Sequence, residues 1–147
     1  MKFMKTNSLM TENKFENIAS SEVFHFDKHD IFKRKDNIIQ LQAYDGFNGD
    51  LSVGVNIVKT FEKLKGKEKC LILIVVDDNA TMSKENCEYI ASAEVSELVK
   101  ADAFVIRSLS LKLLMNGYLR INKPNRPTRF FNSEENAVEW LKSIDDK

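Results

Sequence analysis

The sequence "CLILIVVDDNATMSKEN", Cys70 to Asn86, decides the fold class. Its first seven residues are all apolar and do not alternate, which is typical of a central strand covered on both faces. Asp77 and Asp78 follow at the carboxyl end of that strand, where open α/β sheets bind ligands. A short polar loop then leads to Ser83, a good N-cap for a helix. We therefore expect this stretch to form the middle of a sheet and to enter a helix.

The residues before this strand predict antiparallel strands and then a helix. The segments "EVFHFD" from Glu22 and "IIQLQAY" from Ile38 alternate apolar and polar side chains, as half-buried strands do. Between them "KHD" indicates a turn and "IFKRKD" a further arm, so we expect an antiparallel hairpin or meander. Asp50 is a candidate N-cap. An apolar stripe at helical spacing follows it and predicts an amphipathic helix: Leu51, Val55, Ile57, Val58, Phe61 and Leu64.

The residues after the central strand predict alternating helices and strands. Two apolar groups at helical spacing predict one helix each: Cys87, Ile90, Ala91, Val95 and Leu98, then Leu111, Leu114, Met115 and Tyr118. The segments "ADAFVIRS" and "TRFF" predict strands, and a capping box of Asn132 and Glu135 predicts the start of a last helix. We expect the ring of Trp140 in that helix to be largely buried. The sequence thus predicts an α/β fold with a mixed sheet of about five strands, an N-terminal antiparallel hairpin and C-terminal βαβ units.

The chain length predicts one domain. A chain of 147 residues is long enough for one core and too short for two ordinary domains. Residues 1–20 are rich in Asn, Ser, Thr and Lys without a period, so we expect a flexible lead-in to a single domain over residues 21–147. Met1, Met4 and Met10 are alternative starts of the chain. These features describe a small globular domain with an N-terminal extension.

The composition predicts a cytoplasmic location. No apolar stretch suits a signal peptide or a membrane span, so we expect no stable membrane insertion. Cys70 and Cys87 lie in apolar contexts without metal or redox spacing, as in a reducing compartment. The 22 acidic side chains balance the 22 basic ones, and we expect no nucleic-acid partner.

A local surplus of positive charge is the first candidate for a contact surface. The stretch from Arg107 to Arg129 contains no acidic residue. Its candidate contact residues are Arg107, Lys112, Arg120 and Lys123, and Arg126 and Arg129 belong to the same surplus. Such a surface can receive a phosphorylated partner, an anionic ligand or a membrane surface. The alternative, a solvated basic face over core leucines, is favoured because exposed charges are screened within about 8 to 10 Å.

The sequence contains no motif of a known catalytic chemistry. Its five glycines are too scattered for a nucleotide-binding loop, and no Ser, Cys or Asp lies in a nucleophile motif. His25 and His29 alone are a weak zinc constellation. The adjacent Asp77 and Asp78 are either part of an anion or ligand site or simply the solvated end of a buried strand. We therefore predict no enzyme, no catalytic residue, no metal and no cofactor.

The C-terminal half resembles a known family. The segment "ADAFVIRSLSLKLLMNGYLRINKPNRPTRFFNSEENAVEWLK", Ala101 to Lys142, is similar to uncharacterised bacterial STAS-like, SpoIIAA-like proteins of the Bacteroidetes type. The shared residues are Ala101, Ala103, Ser108, Asn116, Lys123, Pro124, Pro127, Thr128, Phe131, Ala137, Trp140 and Leu141. The resemblance extends from about Ile38 to Lys142. It implies the fold of the anti-sigma factor antagonists, in agreement with the predicted order of elements.

The resemblance also implies a regulatory hydroxyl. The antagonists are switched by phosphorylation of a Ser or Thr at the helix start after the central strand, where this chain has Thr81 and Ser83. Their motif contains a glycine, whereas "DDNATMSKEN" does not. A helix start still favours a phosphate through its free N–H groups. We expect Ser83 to be chiefly a helix cap, with Thr81, Ser83, Asp77 and Asp78 as the possible regulatory or anion site.

Two functions from different classes remain open. The first is a non-catalytic regulatory or protein-interaction module of STAS-like type, with an unidentified protein partner and a possible homodimer. The alternative is a small-ligand or lipid carrier or sensor that uses an apolar cleft near Leu111 to Leu119 with a basic rim.

Overall fold

The computed structural model describes residues 23–146, so the predicted lead-in lies outside the described residues. The strands are β1 (Phe24–His25), β2 (His29–Lys33), β3 (Ile39–Ala43), β4 (Asn48–Gly49), β5 (Cys70–Val76), β6 (Thr81–Met82), β7 (Val99–Ile106) and β8 (Thr128–Phe131). The helices are α1 (Leu51–Leu64), α2 (Lys84–Ile90), α3 (Ala93–Ser96), α4 (Leu109–Asn122) and α5 (Glu134–Asp145).

One mixed sheet organises these elements. Its six strands lie in the order β1-β2-β3-β5-β7-β8. The pairs β1–β2 and β2–β3 are antiparallel, whereas β3–β5, β5–β7 and β7–β8 are parallel. The predicted mixed α/β fold is therefore confirmed, and β5 is an interior strand as expected. The sheet has one strand more than the five expected because the two-residue β1 pairs with β2. A separate short parallel pair joins β4 to β6.

The central strand is buried on both faces, which accounts for its unbroken apolar sequence. On one face, Leu71, Leu73 and Val75 pack with Ala137 and Leu141 of α5. On the other face, Ile72 packs with Ile57, Val58 and Phe61 of α1. Phe104 of the neighbouring β7 packs against α4 on this same face. The helices therefore cover the sheet unequally, with α5 on one side and α1, α2 and α4 on the other.

Three local expectations about the elements are wrong. The helix expected from Cys87 to Leu98 is two helices, because the Ser92 hydroxyl accepts a hydrogen bond from Val95 N at 3.4 Å and caps α3. The last helix is capped by Ser133, not Asn132: Ser133 accepts from Asn136 N at 3.2 Å. The segment "KHD" is not all turn, since β2 begins at the buried His29.

Trp140 packs at the edge of the core and keeps part of its surface exposed. The indole lies at the margin of the core, with its ring centre 5.7 Å from that of Phe131. The Arg129 guanidinium lies 5.6 Å from the indole centre, a cation–π arrangement. The ring is therefore covered both by the core and by the long side chain of Arg129.

Two mid-helix glycines make a matched test of the packing. A Cβ at Gly54 in α1 would lie 1.8 Å from Asn86 Oδ1, whereas a Cβ at Gly117 in α4 meets no atom within 4 Å. We expect Gly54→Ala to lower the free energy of unfolding by about 1–3 kcal/mol through overpacking. Gly117→Ala should raise it by about 0.5–1 kcal/mol, because alanine loses less backbone entropy. Urea denaturation measures both, and equal effects of the two substitutions would contradict the packing of α1 on α2.

Candidate functional site

The loop after β5 places the two predicted acids at the end of the sheet. Asp77 N donates to Ala43 O at 2.9 Å, which keeps the chain on the sheet for one more residue. Asp77 is half-buried and Asp78 is exposed. Asn79 then adopts a left-handed φ of 62°, and its side-chain amide donates to Asp45 Oδ1 at 2.9 Å. The acids thus lie at a tight, water-facing turn. No group of acidic, Cys and His side chains suited to a metal ion occurs within residues 23–146.

The two candidate hydroxyls have different local roles. Ser83 caps α2, since its Oγ accepts from Asn86 N at 3.1 Å, as the sequence predicts. Thr81 lies in β6 instead, opposite Asn48, and its hydroxyl donates to Asn48 Oδ1 at 3.2 Å. Thr81 is exposed and Ser83 is half-buried. Only Ser83 is therefore at a helix start, and its hydroxyl has a structural partner there.

The histidines form no shared ligand site. His25 Nδ1 lies 2.8 Å from Asp30 Oδ1, and Tyr44 donates to the other oxygen of Asp30 at 2.6 Å. His29 is buried with its ring stacked on Phe26, the ring centres being 4.6 Å apart. Burial lowers the pKa of His29 to about 4, so the imidazole is neutral at pH 7. This corner of the sheet is a packed polar cluster.

Helix α4 presents apolar side chains to water on its outer side. Leu111, Met115 and Tyr118 pack inward. The exposed fractions are 72% for Leu109, 65% for Leu113, 46% for Leu114 and 79% for Ile121. The expectation that Leu114 belongs to the inward stripe is therefore wrong: α4 is apolar on two sides, and only one side meets the sheet. We call Leu109, Leu113, Leu114, Gly117, Arg120 and Ile121 the α4 outer face.

The basic residues divide into two groups. Arg107, Arg120 and Lys123 are exposed, and Lys112 donates from Nζ to Asn132 Oδ1. Arg107 precedes α4 and Lys123 follows it, and this 14-residue helix is about 21 Å long at 1.5 Å per residue, so cations flank both ends of the α4 outer face.

Arg126 does not belong to that surface, because it is buried in an ion pair with Asp102 of β7. Its Nε and Nη2 donate to Asp102 Oδ2 at 3.2 and 3.0 Å. Its Nη1 donates to Ser96 Oγ at 2.8 Å, its Nη2 also donates to Ile90 O at 2.7 Å, and Thr128 donates to Asp102 Oδ1. Sequence reasoning missed this pair, although an acid within the apolar segment "ADAFV" is its visible signal.

A cavity of about 90 Å³ lies between the sheet and helices α1, α2 and α4. Its walls are mainly apolar, and Asn86, Asp102 and Arg126 are among its polar lining residues. Leu111 and Met115 reach it from the inner side of α4. The apolar space therefore lies beneath α4 and not along the exposed side of residues 111–119. Within the described residues, the buried hydroxyl of Tyr118 has no hydrogen-bond partner, and burial raises its pKa, which keeps the phenol neutral.

A solved structure with a similar fold identifies the fold of this chain. The crystal structure of an uncharacterised protein of the DUF3478 family from Shewanella loihica PV-4, with a SpoIIAA-like fold, is similar to this chain with a TM-score of 0.53. The two are 14% identical, and the match covers 80% of this chain and 98% of that one. The expected SpoIIAA-like fold is thus confirmed, while the Bacteroidetes type stays a prediction. No curated protein is significantly similar to the chain.

Two further findings bear on the chain as a whole. Across residues 23–146, none of the helices has the length and apolar character that a membrane crossing requires. The sequence profile of DUF7793, a domain of unknown function, matches residues 32–145. This match runs from within β2 to the end of α5 and so includes both the cavity and the α4 outer face. The chain belongs to the DUF7793 family.

Proposed function

We propose that the chain is a non-catalytic interaction module of STAS-like type, acting in the cytoplasm, that docks a protein partner on the α4 outer face. The observation that carries the proposal is the exposure of four large apolar side chains on one helix. Contiguous apolar surface is costly in water and is typical of an interaction site. The flanking Arg107, Arg120 and Lys123 supply charges that orient a partner.

The polar side chains of Ser83, Asp102 and Arg126 have structural partners, which favours a structural role for them over a catalytic one. Ser83 is used as a cap. Asp102 and Arg126 neutralise each other in a buried pair with further hydrogen bonds. Catalysis requires an acid, base or nucleophile positioned beside a space for substrate, and the cavity walls are mainly apolar. We therefore retain the prediction that the module is not an enzyme and needs no cofactor.

Regulation at the loop after β5 is part of the proposal. Thr81 is exposed and could be modified without opening the core. Ser83 is less suited, because a phosphate on its Oγ would disturb the hydrogen bond from Asn86 N. Asp77 and Asp78 would oppose a nearby phosphate by like-charge repulsion.

A small-ligand carrier or sensor is the second candidate, favoured by the cavity beneath α4. Its mainly apolar walls with a few polar groups resemble those of ligand sites, but its volume of about 90 Å³ lies below the range of about 300–1,000 Å³ that drug-sized ligands occupy. The interaction module ranks first because the apolar surface of α4 faces outward, where a partner can reach it.

Reversal of charge beside the α4 outer face tests the interaction module. We expect the double variant Arg120→Glu, Lys123→Glu to lose capture of the partner in pull-downs from cells of the source organism. The free energy of unfolding should fall by no more than about 2 kcal/mol, because both side chains are exposed and the cost comes from replacing cations at the C-terminal end of α4. The matched control is Lys59→Glu, Lys63→Glu on the exposed side of α1. Unchanged capture by the α4 variant would show that Arg120 and Lys123 are solvated side chains that do not contribute to binding.

Substitution of Ser83 separates a cap from a regulatory hydroxyl. Ser83→Ala should lower the free energy of unfolding by about 1 kcal/mol, whereas Ser83→Asp should cost little because it keeps an acceptor. Thr81→Ala is the control for stability alone and should change the free energy of unfolding by less than about 0.5 kcal/mol. Denaturant midpoints and partner affinity are measured together. Opposite effects of the two Ser83 variants on affinity, with stability constant, would contradict the cap and indicate a switch.

Native mass spectrometry tests the carrier alternative. If the cavity holds a ligand, protein purified from its source cells should carry an extra mass that denaturing conditions release. The interaction module predicts the bare mass of the chain in both conditions. A stoichiometric small molecule would overturn the ranking of the two candidates.

A further inference from the structure

Gly117 occupies a position at which the fold itself does not require glycine. It lies within α4, at an ordinary negative φ, and a Cβ there would meet no atom within 4 Å. Glycine inside a helix is less favourable than alanine because it loses more backbone entropy on folding. Gly54 differs, since its missing side chain makes room for Asn86. The absence of a side chain at Gly117 therefore calls for an explanation outside the chain.

The missing side chain leaves a shallow depression in the α4 outer face. Its lining consists of Leu113, Asn116, Gly117, Leu119 and Arg120. Leu113 and Ile121 lie four residues to either side of Gly117 and are exposed, so they flank it on the same side of the helix. Packed helices insert side chains into depressions of this kind between ridges. The shape fits a side chain of a second helix lying across α4.

The charges around the depression select an acidic partner. From Arg107 to Arg129 there is no acidic residue, while Arg107, Arg120 and Lys123 are exposed. A second copy joined through the same face would bring like charges together. A carboxylate on the partner, in contrast, can form two hydrogen bonds with a guanidinium such as that of Arg120.

The polar groups within the face favour a protein over a lipid surface. Asn116 and Arg120 line the depression together with Leu113 and Leu119, so whatever fills the depression must contact polar groups as well as leucines. A helix that lies in a membrane interface buries a continuous apolar side in the acyl region. A protein partner can satisfy these polar groups individually while covering the leucines.

We propose that the α4 outer face binds one acidic amphipathic helix of a partner protein, with an apolar side chain of that helix over Gly117 and a carboxylate on Arg120. This inference rests on the proposed interaction module and names the chemistry of its partner. The depression supplies the fit, and the cations supply the selection by charge.

Two synthetic peptides test the selection by charge. Both are 20-residue helices with leucine at i, i+3, i+4 and i+7 along one side, and they carry either glutamate or lysine at all flanking positions. Binding to the full chain is measured by fluorescence anisotropy at two salt concentrations. We expect the glutamate peptide to bind at least about tenfold more tightly than the lysine peptide, and salt to weaken it. Equal binding, or no binding of either peptide, would overturn the acidic helix.

Substitution of Gly117 tests the fit. Gly117→Leu adds apolar surface in open space, so simple adhesion of apolar surfaces predicts tighter binding of the glutamate peptide. Docking over the depression predicts the reverse, a loss of about tenfold or more, with thermal stability unchanged or higher. Asn56→Leu on the exposed side of α1 is the matched control. Tighter binding by Gly117→Leu would contradict the placement of a partner side chain over Gly117.

A lipid surface or a second copy of the chain on the α4 outer face would give results different from those of an acidic helix. Binding to phosphatidylcholine vesicles that contain phosphatidylserine, with no binding of the glutamate peptide, would replace the helix by a lipid surface. Self-association that Leu113→Asp abolishes would replace it by a second copy. A photo-cross-linker at Leu113, used in source cells, distinguishes failure of the acidic helix from failure of the interaction module. Protein cross-links without preference for the glutamate peptide would overturn the acidic helix alone, whereas no protein cross-link would overturn the interaction module as well.

Discussion

The burial of β5 on both faces is the constraint on which the other features depend. A strand without a polar side must be covered twice, so helices have to pack on both sides of the sheet. One side is closed by α5, where Ala137 and Leu141 are fully buried. The other side is covered by α1, α2 and α4, and the cavity of about 90 Å³ lies between them and the sheet. Because the inner side of α4 is committed to this cover, its outer leucines cannot join the same core.

The buried pair of Asp102 and Arg126 holds the end of this cover in place. It joins β7 and the loop after α4 to Ser96 of α3 and to the end of α2. Ion pairs of this kind add little net stability, but loss of one partner leaves an unpaired buried charge and is strongly destabilising. The pair therefore anchors the chain just after α4, while the burial of Leu111, Met115 and Tyr118 turns the other apolar side of α4 to water. The surface proposed for the partner is a consequence of this internal arrangement.

Much of the fold could be predicted from local patterns. The unbroken apolar run gave the position of β5, and short-range hydrogen bonding accounts for the caps at Asp50 and Ser83. The break at Ser92 was missed because the apolar period continues across it in both α2 and α3. Arg126 was assigned to a basic surface because charge in a sequence does not reveal which partner lies across the fold.

The candidate site was less predictable for a related reason. Leu113 and Leu114 add to the apolar character of α4, but periodicity does not decide which of two apolar sides packs on a sheet. Gly117 draws attention only when the space around it is known to be empty. The cavity depends on the spacing of three helices over the sheet, which no single segment encodes. Thr81 and Ser83 are near neighbours in sequence, but one lies in a strand and the other caps a helix.

Methyl NMR of the full chain during titration with the glutamate peptide tests most directly which surface of the domain binds the partner. If the α4 outer face is the docking surface, the largest shift changes fall on the methyl groups of Leu109, Leu113, Leu114 and Ile121. The cavity methyl groups, such as those of Ile57 and Ile72, should change little. The account is contradicted if the cavity methyl groups shift most while those of the α4 outer face remain unchanged.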